Sequence, residues 1–150
     1  QIYSVNALVV VLFQVPAVAI IRKMGLRVPV VLGCALFTMG FVLVGASRSF
    51  LPLAGCMVVI SLGEVLLTPA LMDLAAVLGD PTRMGRSFGL MGLARGIGYS
   101  LGPLLGGVAF DHFHRQPMVM WSILAGVMAV AFLGFTVFWQ RFDVPEHKVG

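Results

Sequence analysis

The sequence predicts an all-α, polytopic transmembrane helix bundle of five spans, on three observations. The chain of 150 residues is 59% hydrophobic and only 11% charged, with a mean hydropathy of +1.02. A soluble domain is about 45–50% apolar and about 25% charged, and a chain this short would leave much of its apolar surface in water. The apolar residues fall in five runs, each near the ~20 residues a helix needs to cross the hydrocarbon. The charged residues collect between those runs. Barrel strands would be about ten residues long and alternating; these runs are twice that and continuous, so they are helices.

The first span is predicted over residues 2–21, a stretch without a charge, and Arg22, Lys23, Gly25 and Arg27 close it. The second covers 28–47, uncharged again, and Arg48 and Pro52 mark a tight turn. The third covers 50–72 and holds one charge, Glu64; Asp73, Asp80, Pro81, Arg83 and Arg86 follow it. The fourth covers 87–110 and holds Arg95; Asp111, His112, His114, Arg115 and Pro117 form the next turn. The fifth covers 118–140, so that residues 1–140 make one membrane domain and 141–150 a short polar tail. The chain begins at Gln1 without an initiator Met, a basic n-region or a cleavage site, and so reads as a fragment.

Orientation follows from Lys and Arg in the short loops. Arg22, Lys23, Arg27, Arg83, Arg86, Arg141 and Lys148 share one side, against Arg48 and Arg115 on the other. The C-terminus is therefore predicted to be cytoplasmic, in a multi-pass protein of the cell membrane. Tyr3 sits at the outer end of the first span, and Trp121 and Trp139 near the two ends of the fifth. At about 1.5 Å per residue those tryptophans are about 27 Å apart, close to the thickness of the core.

The same composition removes several function classes. The net charge of +4 and pI of about 9.7 would suggest nucleic acid in a soluble protein, but here the basic residues set topology. Cys34 and Cys56 lie in apolar runs without ligands at metal spacing, and His112 and His114 beside Asp111 lack further donors, so no metal and no cofactor is expected. No phosphate-binding G-x-x-x-x-G-K-[ST] run occurs, and Gly96-Ile97-Gly98 lacks the third glycine of a dinucleotide site. A membrane enzyme would want His, Asp or Ser clustered near one membrane face, and no such cluster is present.

The fourth span carries two glycine stripes, Gly85, Gly89, Gly92 and Gly96, then Gly98, Gly102 and Gly106. Small residues four apart let helices approach closely in lipid, so this helix is expected to pack tightly on two sides, with a kink at Pro103. A charge at mid-helix costs about 2.5–3.5 kcal/mol on insertion scales and therefore faces a partner or a water-filled path. Glu64 and Arg95 lie at matching depth, each about 4–5 Å to the cytoplasmic side of the midplane. They are expected to face one another or share one cavity, either as a structural ion pair or as a proton or substrate site. Tyr99 shares the Arg95 face. Asn6 and Gln14 share a face of the first span and read as cross-helix hydrogen-bonding groups or cavity lining.

Gly98-Tyr99-Ser100-Leu101-Gly102-Pro103-Leu104-Leu105-Gly106-Gly107 resembles the antiporter motif of the major facilitator superfamily. Pro81-Thr82-Arg83-Met84-Gly85-Arg86 with Phe88-Gly89-Leu90 resembles the family's P-x-x-R-G-R-x-x-G-L segment, with Met84 in place of its first Arg. Gly63-Glu64 with Pro69 and Asp73 resembles the helix before that loop. Arg22-Lys23-Met24-Gly25-Leu26-Arg27 resembles the D-R-x-G-R-R/K loop or its weaker echo in the second half. Arg22 at the acidic position, Val18 four residues earlier and Met57 at the fourth-helix arginine point to the second half, helices eight to twelve of twelve.

The resemblance implies a secondary active carrier of a small solute that works by alternating access, with proton-coupled efflux of a drug or metabolite as the leading form. A symporter or facilitator of the same fold, and a non-transporting membrane scaffold, remain open. It implies that Gly98, Gly102, Pro103, Gly106 and Gly107 belong to an antiporter-like motif, with Glu64, Arg95 and Tyr99 at the transport site. Asp73, pairing with Arg22, Lys23 or Arg86, is either a cytoplasmic gate latch or a plain surface pair. The implied partners are the bilayer, a small-molecule substrate, a coupling proton and the N-terminal half of the same transporter, with no nucleic acid.

Overall fold

The computed structural model describes residues 2–142, apart from the side chains of Ile2, Tyr3, Val5, Ile20 and Arg22. The expectations placed on Tyr3, on the Arg22 side chain and on Lys148 in the tail lie outside the described residues. Five helices follow one another: α1 (Ile2–Met24), α2 (Arg27–Ala46), α3 (Phe50–Leu78), α4 (Met84–Phe113) and α5 (Pro117–Arg141). Among the described residues the architecture is all-α.

Local chemistry sets the breaks. Gly25 takes φ 72°, the left-handed conformation that ends a helix and that a side chain resists, so α1 stops and α2 restarts within two residues. Pro29, Pro52 and Pro117 all sit in first turns, where the missing amide has no helical partner to lose. Ser47 leaves the helix in an extended conformation, and its Oγ donates to the Leu43 carbonyl at 2.8 Å. After α3, Pro81 forces Asp80 out of the helical region, and Pro81–Arg83 form a 3₁₀ turn. Asp80 Oδ1 caps it, accepting from Thr82 N at 2.8 Å and Thr82 Oγ1 at 2.7 Å. Those two bonds favour the ionised carboxyl and hold Asp80 below its ordinary value of 3.8.

α3 runs on past the apolar stretch to Leu78, and α4 starts at Met84. A helix satisfies its own backbone hydrogen bonds and has no reason to stop at the edge of the hydrocarbon. Leu74, beyond Asp73, is buried against Phe138 and Trp139 of α5. By length and apolar content α2, α3 and α5 can each cross a membrane. The helices expose many large apolar residues, Val11, Leu51, Leu93 and Val130 among them. In water such a surface would drive association; in a bilayer the lipid covers it.

α2 and α3 together form the centre of the bundle: α3 packs along α1 and α2, and α2 also packs along α5. At one end Ile21, Val30 and Ala70 are buried together under Leu66, Leu67, Phe135 and Trp139. At the other, Val44, Cys56 and Ile60 are buried under Phe37, Phe41, Met57 and Trp121. Between them α2 and α3 make their close approach. A Cβ on Gly33 would stand 2.9 Å from Leu67 Cβ and 3.1 Å from the Gly63 carbonyl oxygen, and one on Gly63 would meet the Gly33 carbonyl oxygen at 3.1 Å.

Within this chain the glycines of α4 do not find the close neighbours expected of them. A Cβ at Gly85, Gly89, Gly92, Gly96, Gly98, Gly102, Gly106 or Gly107 would have no neighbour within 4 Å. α4 meets the bundle chiefly through α3, α5 and the turn that precedes it. A cavity of about 570 Å³, lined by Phe41, Gly102, Leu105, Phe113, Ile123 and Val127 among others, separates its second half from α2 and α5. Close packing among the described residues centres instead on α2, whose Gly33 and Gly40 approach α3 and whose Gly45 approaches α5 at Trp121 Cβ, 3.0 Å from where its own Cβ would stand.

Candidate functional site

Two helices, α1 and α3, bring together three polar side chains of the apolar spans, Asn6, Ser61 and Glu64. Ser61 and Glu64 lie three residues apart on α3 and so share a face. Asn6 of α1 reaches both. Its Nδ2 donates to Ser61 Oγ at 2.9 Å and to Glu64 Oε2 at 3.1 Å. Ser61 is fully buried, and its hydroxyl donates in turn to the Met57 carbonyl at 2.7 Å. Ser61 is thus a donor within its own helix and an acceptor across the interface, which leaves its proton and one lone pair used. Asn6 spends both amide hydrogens on α3. Glu64 is exposed at the surface of the bundle, with one carboxylate oxygen held by Asn6.

Geometrically this is a carboxylate fixed by an amide from a neighbouring helix, over a buried hydroxyl. An amide donor removes part of the carboxylate's hydration need without neutralising its charge. The group can therefore accept from a further donor, either a proton or a solute N–H or O–H.

Arg95 does not take that place. Its guanidinium lies 6.0 Å from the ring centroid of Tyr99, one turn further along α4, and both residues are exposed. Among the described residues no ion pair joins Glu64 to Arg95. Of the two expected arrangements, the direct pairing does not form within this five-helix chain: equal depth does not bring the charges together, because α4 stands off α3 beyond the connecting turn. Arg95 instead takes the cation–π partner that i, i+4 spacing supplies.

Asp73, Lys23 and Arg86 are all exposed, and among the described residues no ion pair links them. Gly98, Gly102, Pro103, Gly106 and Gly107 lie on α4, which stays helical through Pro103. His112 and His114 turn back on their own segment, with Nδ1 at 2.9 Å from the Val108 carbonyl and 3.3 Å from the Asp111 carbonyl. Sequence reasoning missed the role of Ser61 and the Asn6–Glu64 contact. The signal available was a polar residue at i−3 from the intramembrane carboxylate; what sequence lacked was the relative register of α1 and α3.

At the edge of the bundle, Trp139 packs against Phe138 at 5.5 Å, edge to face, and its Nε1 is buried without an acceptor.

Comparison with known proteins adds an independent line. A model of the Major Facilitator Superfamily matches residues 1–150. The chain is 26% identical over 132 residues to the uncharacterized MFS-type transporter YttB of Bacillus subtilis (strain 168), covering 87% of this chain and 33% of that protein. It is 26% identical over 149 residues to the uncharacterized MFS-type transporter YqjV of the same organism, covering 97% of this chain and 36% of that protein. It is 28% identical over 103 residues to the riboflavin transporter RibZ of Clostridioides difficile (strain 630), covering 69% of this chain and 22% of that protein. No solved structure matches. The chain thus spans about a third of the length of the first two relatives.

Proposed function

The chain belongs to the Major Facilitator Superfamily, and from that premise we propose that it is part of a secondary carrier that moves a small solute by alternating access. Transport, rather than covalent chemistry, is its work. The observation that carries the reading is the Asn6–Ser61–Glu64 cluster: an ionisable side chain within a membrane span, fixed by hydrogen bonds from a second helix. Intramembrane carboxylates are costly and mark ion or solute paths, and carriers of this build place such groups near the midplane between repeats. Glu64 is the proton or solute group, with Asn6 holding it and Ser61 anchoring Asn6.

The five helices are read as helices eight to twelve, supported by Arg22, Val18 and Met57 at positions where the first half carries other residues. The N-terminal half then supplies the opposing wall of the cavity. α4 presents its glycine stripes and Arg95 toward that half, which accounts for a helix so rich in glycine with open space around it. Asp73 with Lys23, Arg22 and Arg86 forms the gate on the basic side of the membrane, the cytoplasmic side by the loop charges. Proton-coupled export is the leading form. Similarity to a protein named a riboflavin transporter favours metabolite carriage as the second reading.

The test is solute flux into proteoliposomes holding the full-length protein, with and without a pH gradient, for the native sequence and Glu64→Gln. Gradient-driven flux that Glu64→Gln abolishes or uncouples is expected. Gradient-driven flux untouched by Glu64→Gln removes Glu64 from the mechanism, and absence of flux for drugs and metabolites alike favours a scaffold.

A further inference from the structure

The surface of α2 at the α1–α2 turn has a relief that the transport reading does not use. Val28 and Leu32 are one turn apart, both exposed, and form a ridge. On one side lies a cavity of about 290 Å³ between α1, α2 and α3, lined by Ala17, Ile21, Pro29, Leu36 and Leu66 among other apolar residues. On the other lies a cavity of about 300 Å³ toward α5, lined by Val31, Ala35, Thr136 and Arg27. Val28 and Leu32 are walls of both. Arg27 opens α2 at the end where the basic loop residues collect, and it is exposed with no ion-pair partner among the described residues.

We propose that this face binds an anionic diacyl phospholipid, which straddles the Val28–Leu32 ridge with one acyl chain in each groove and its phosphate on Arg27. Three features select that occupant. The grooves are paired, of nearly equal volume, and separated by one helix ridge, as two chains on one glycerol require. A packing helix about 10 Å across would rest on the ridge and leave both grooves empty. The cation stands at the basic end of the ridge, at the level where a headgroup would lie, and guanidinium matches phosphate geometry. Lys23, exposed on the preceding turn, adds attraction to an anionic headgroup. The site depends on membrane embedding alone; transport could fail at Glu64 and leave it intact.

The experiment is native mass spectrometry of the full-length transporter, titrated with phosphatidylglycerol and phosphatidylcholine of identical chains, with lyso-phosphatidylglycerol and with glycerol phosphate. Phosphatidylglycerol is expected to be retained over the other three. Arg27→Gln should lower its preference over phosphatidylcholine about fivefold, the effect of one basic residue at a membrane surface, and Arg27→Lys should keep most of it. Leu32→Trp, which broadens the ridge into both grooves, should lower retention of both diacyl lipids. Equal retention of phosphatidylglycerol and phosphatidylcholine by the native protein would overturn the proposal. So would an unchanged preference in Arg27→Gln, retention of the single-chain lipid as strong as of the diacyl one, or unchanged diacyl retention in Leu32→Trp.

Discussion

Asn6→Ala removes both hydrogen bonds that α1 makes to the α3 polar pair, at 2.9 and 3.1 Å. The two do not contribute equally. Interhelical hydrogen bonds in membranes average about 0.6 kcal/mol and reach about 1.7. Ser61 is fully buried, so its lost donor is not replaced by water, and this bond belongs at the upper end. Glu64 is exposed, so in the water-filled path proposed for it water replaces most of what Asn6 gave it, and this bond belongs at the lower end. Asn6→Ala should therefore cost about 1–2 kcal/mol, most of it through Ser61. Ser61→Ala alone should cost less, because its own donor bond goes to a helix carbonyl one turn back and compensates little. The assay is reversible unfolding of the full-length protein in bicelles, run as two double-mutant cycles, Asn6→Ala with Ser61→Ala and Asn6→Ala with Glu64→Ala. The first should show a coupling of about 1 kcal/mol and the second less than about 0.5. Additivity within about 0.3 kcal/mol in the first cycle, or a larger coupling in the second than in the first, would refute the reasoning.

Gly33→Ala places a Cβ 2.9 Å from Leu67 Cβ, an atom fixed to the backbone, so α2 and α3 must part; a loss of about 1–3 kcal/mol in the same unfolding assay is expected. Gly102→Leu should leave that stability nearly unchanged, since the site is open in this bundle, yet impair solute flux if α4 meets the other half of the carrier. Trp139→Phe keeps the aromatic packing and removes a buried, unpaired N–H; stability should hold or rise by about 1 kcal/mol, and a loss of that size would reveal a partner for the indole. Thr82→Val should move the Asp80 carboxyl back up toward 3.8 in an NMR titration. The folded value lies below the unfolded one, so the capping contribution is complete above about pH 4 and is lost as pH falls through the lowered value.

What the sequence determined by itself was the solvent and the elements. Five long runs without paired charges permit only helices in lipid, because an unsatisfied backbone group there is prohibitive. The turns were legible because Gly25, Pro52, Pro81 and Pro117 act on the backbone locally, and the family was legible because motif order survives where single residues drift. The partners of the polar side chains were not. Depth along separate spans suggested that Glu64 and Arg95 face one another or share one cavity, and glycine spacing suggested that α4 packs closely on two sides. Within this chain neither the direct pairing nor the close α4 contacts form, for one reason. Side-chain contact depends on which helices run side by side and at what register, and in a chain whose helices are apolar all round the hydrophobic pattern does not encode that choice. The Gly33–Gly63 approach sets α2 on α3, the Asn6–Ser61 bond sets α1 on α3, and with those faces occupied α4 is left outward, its glycines open and Arg95 over Tyr99.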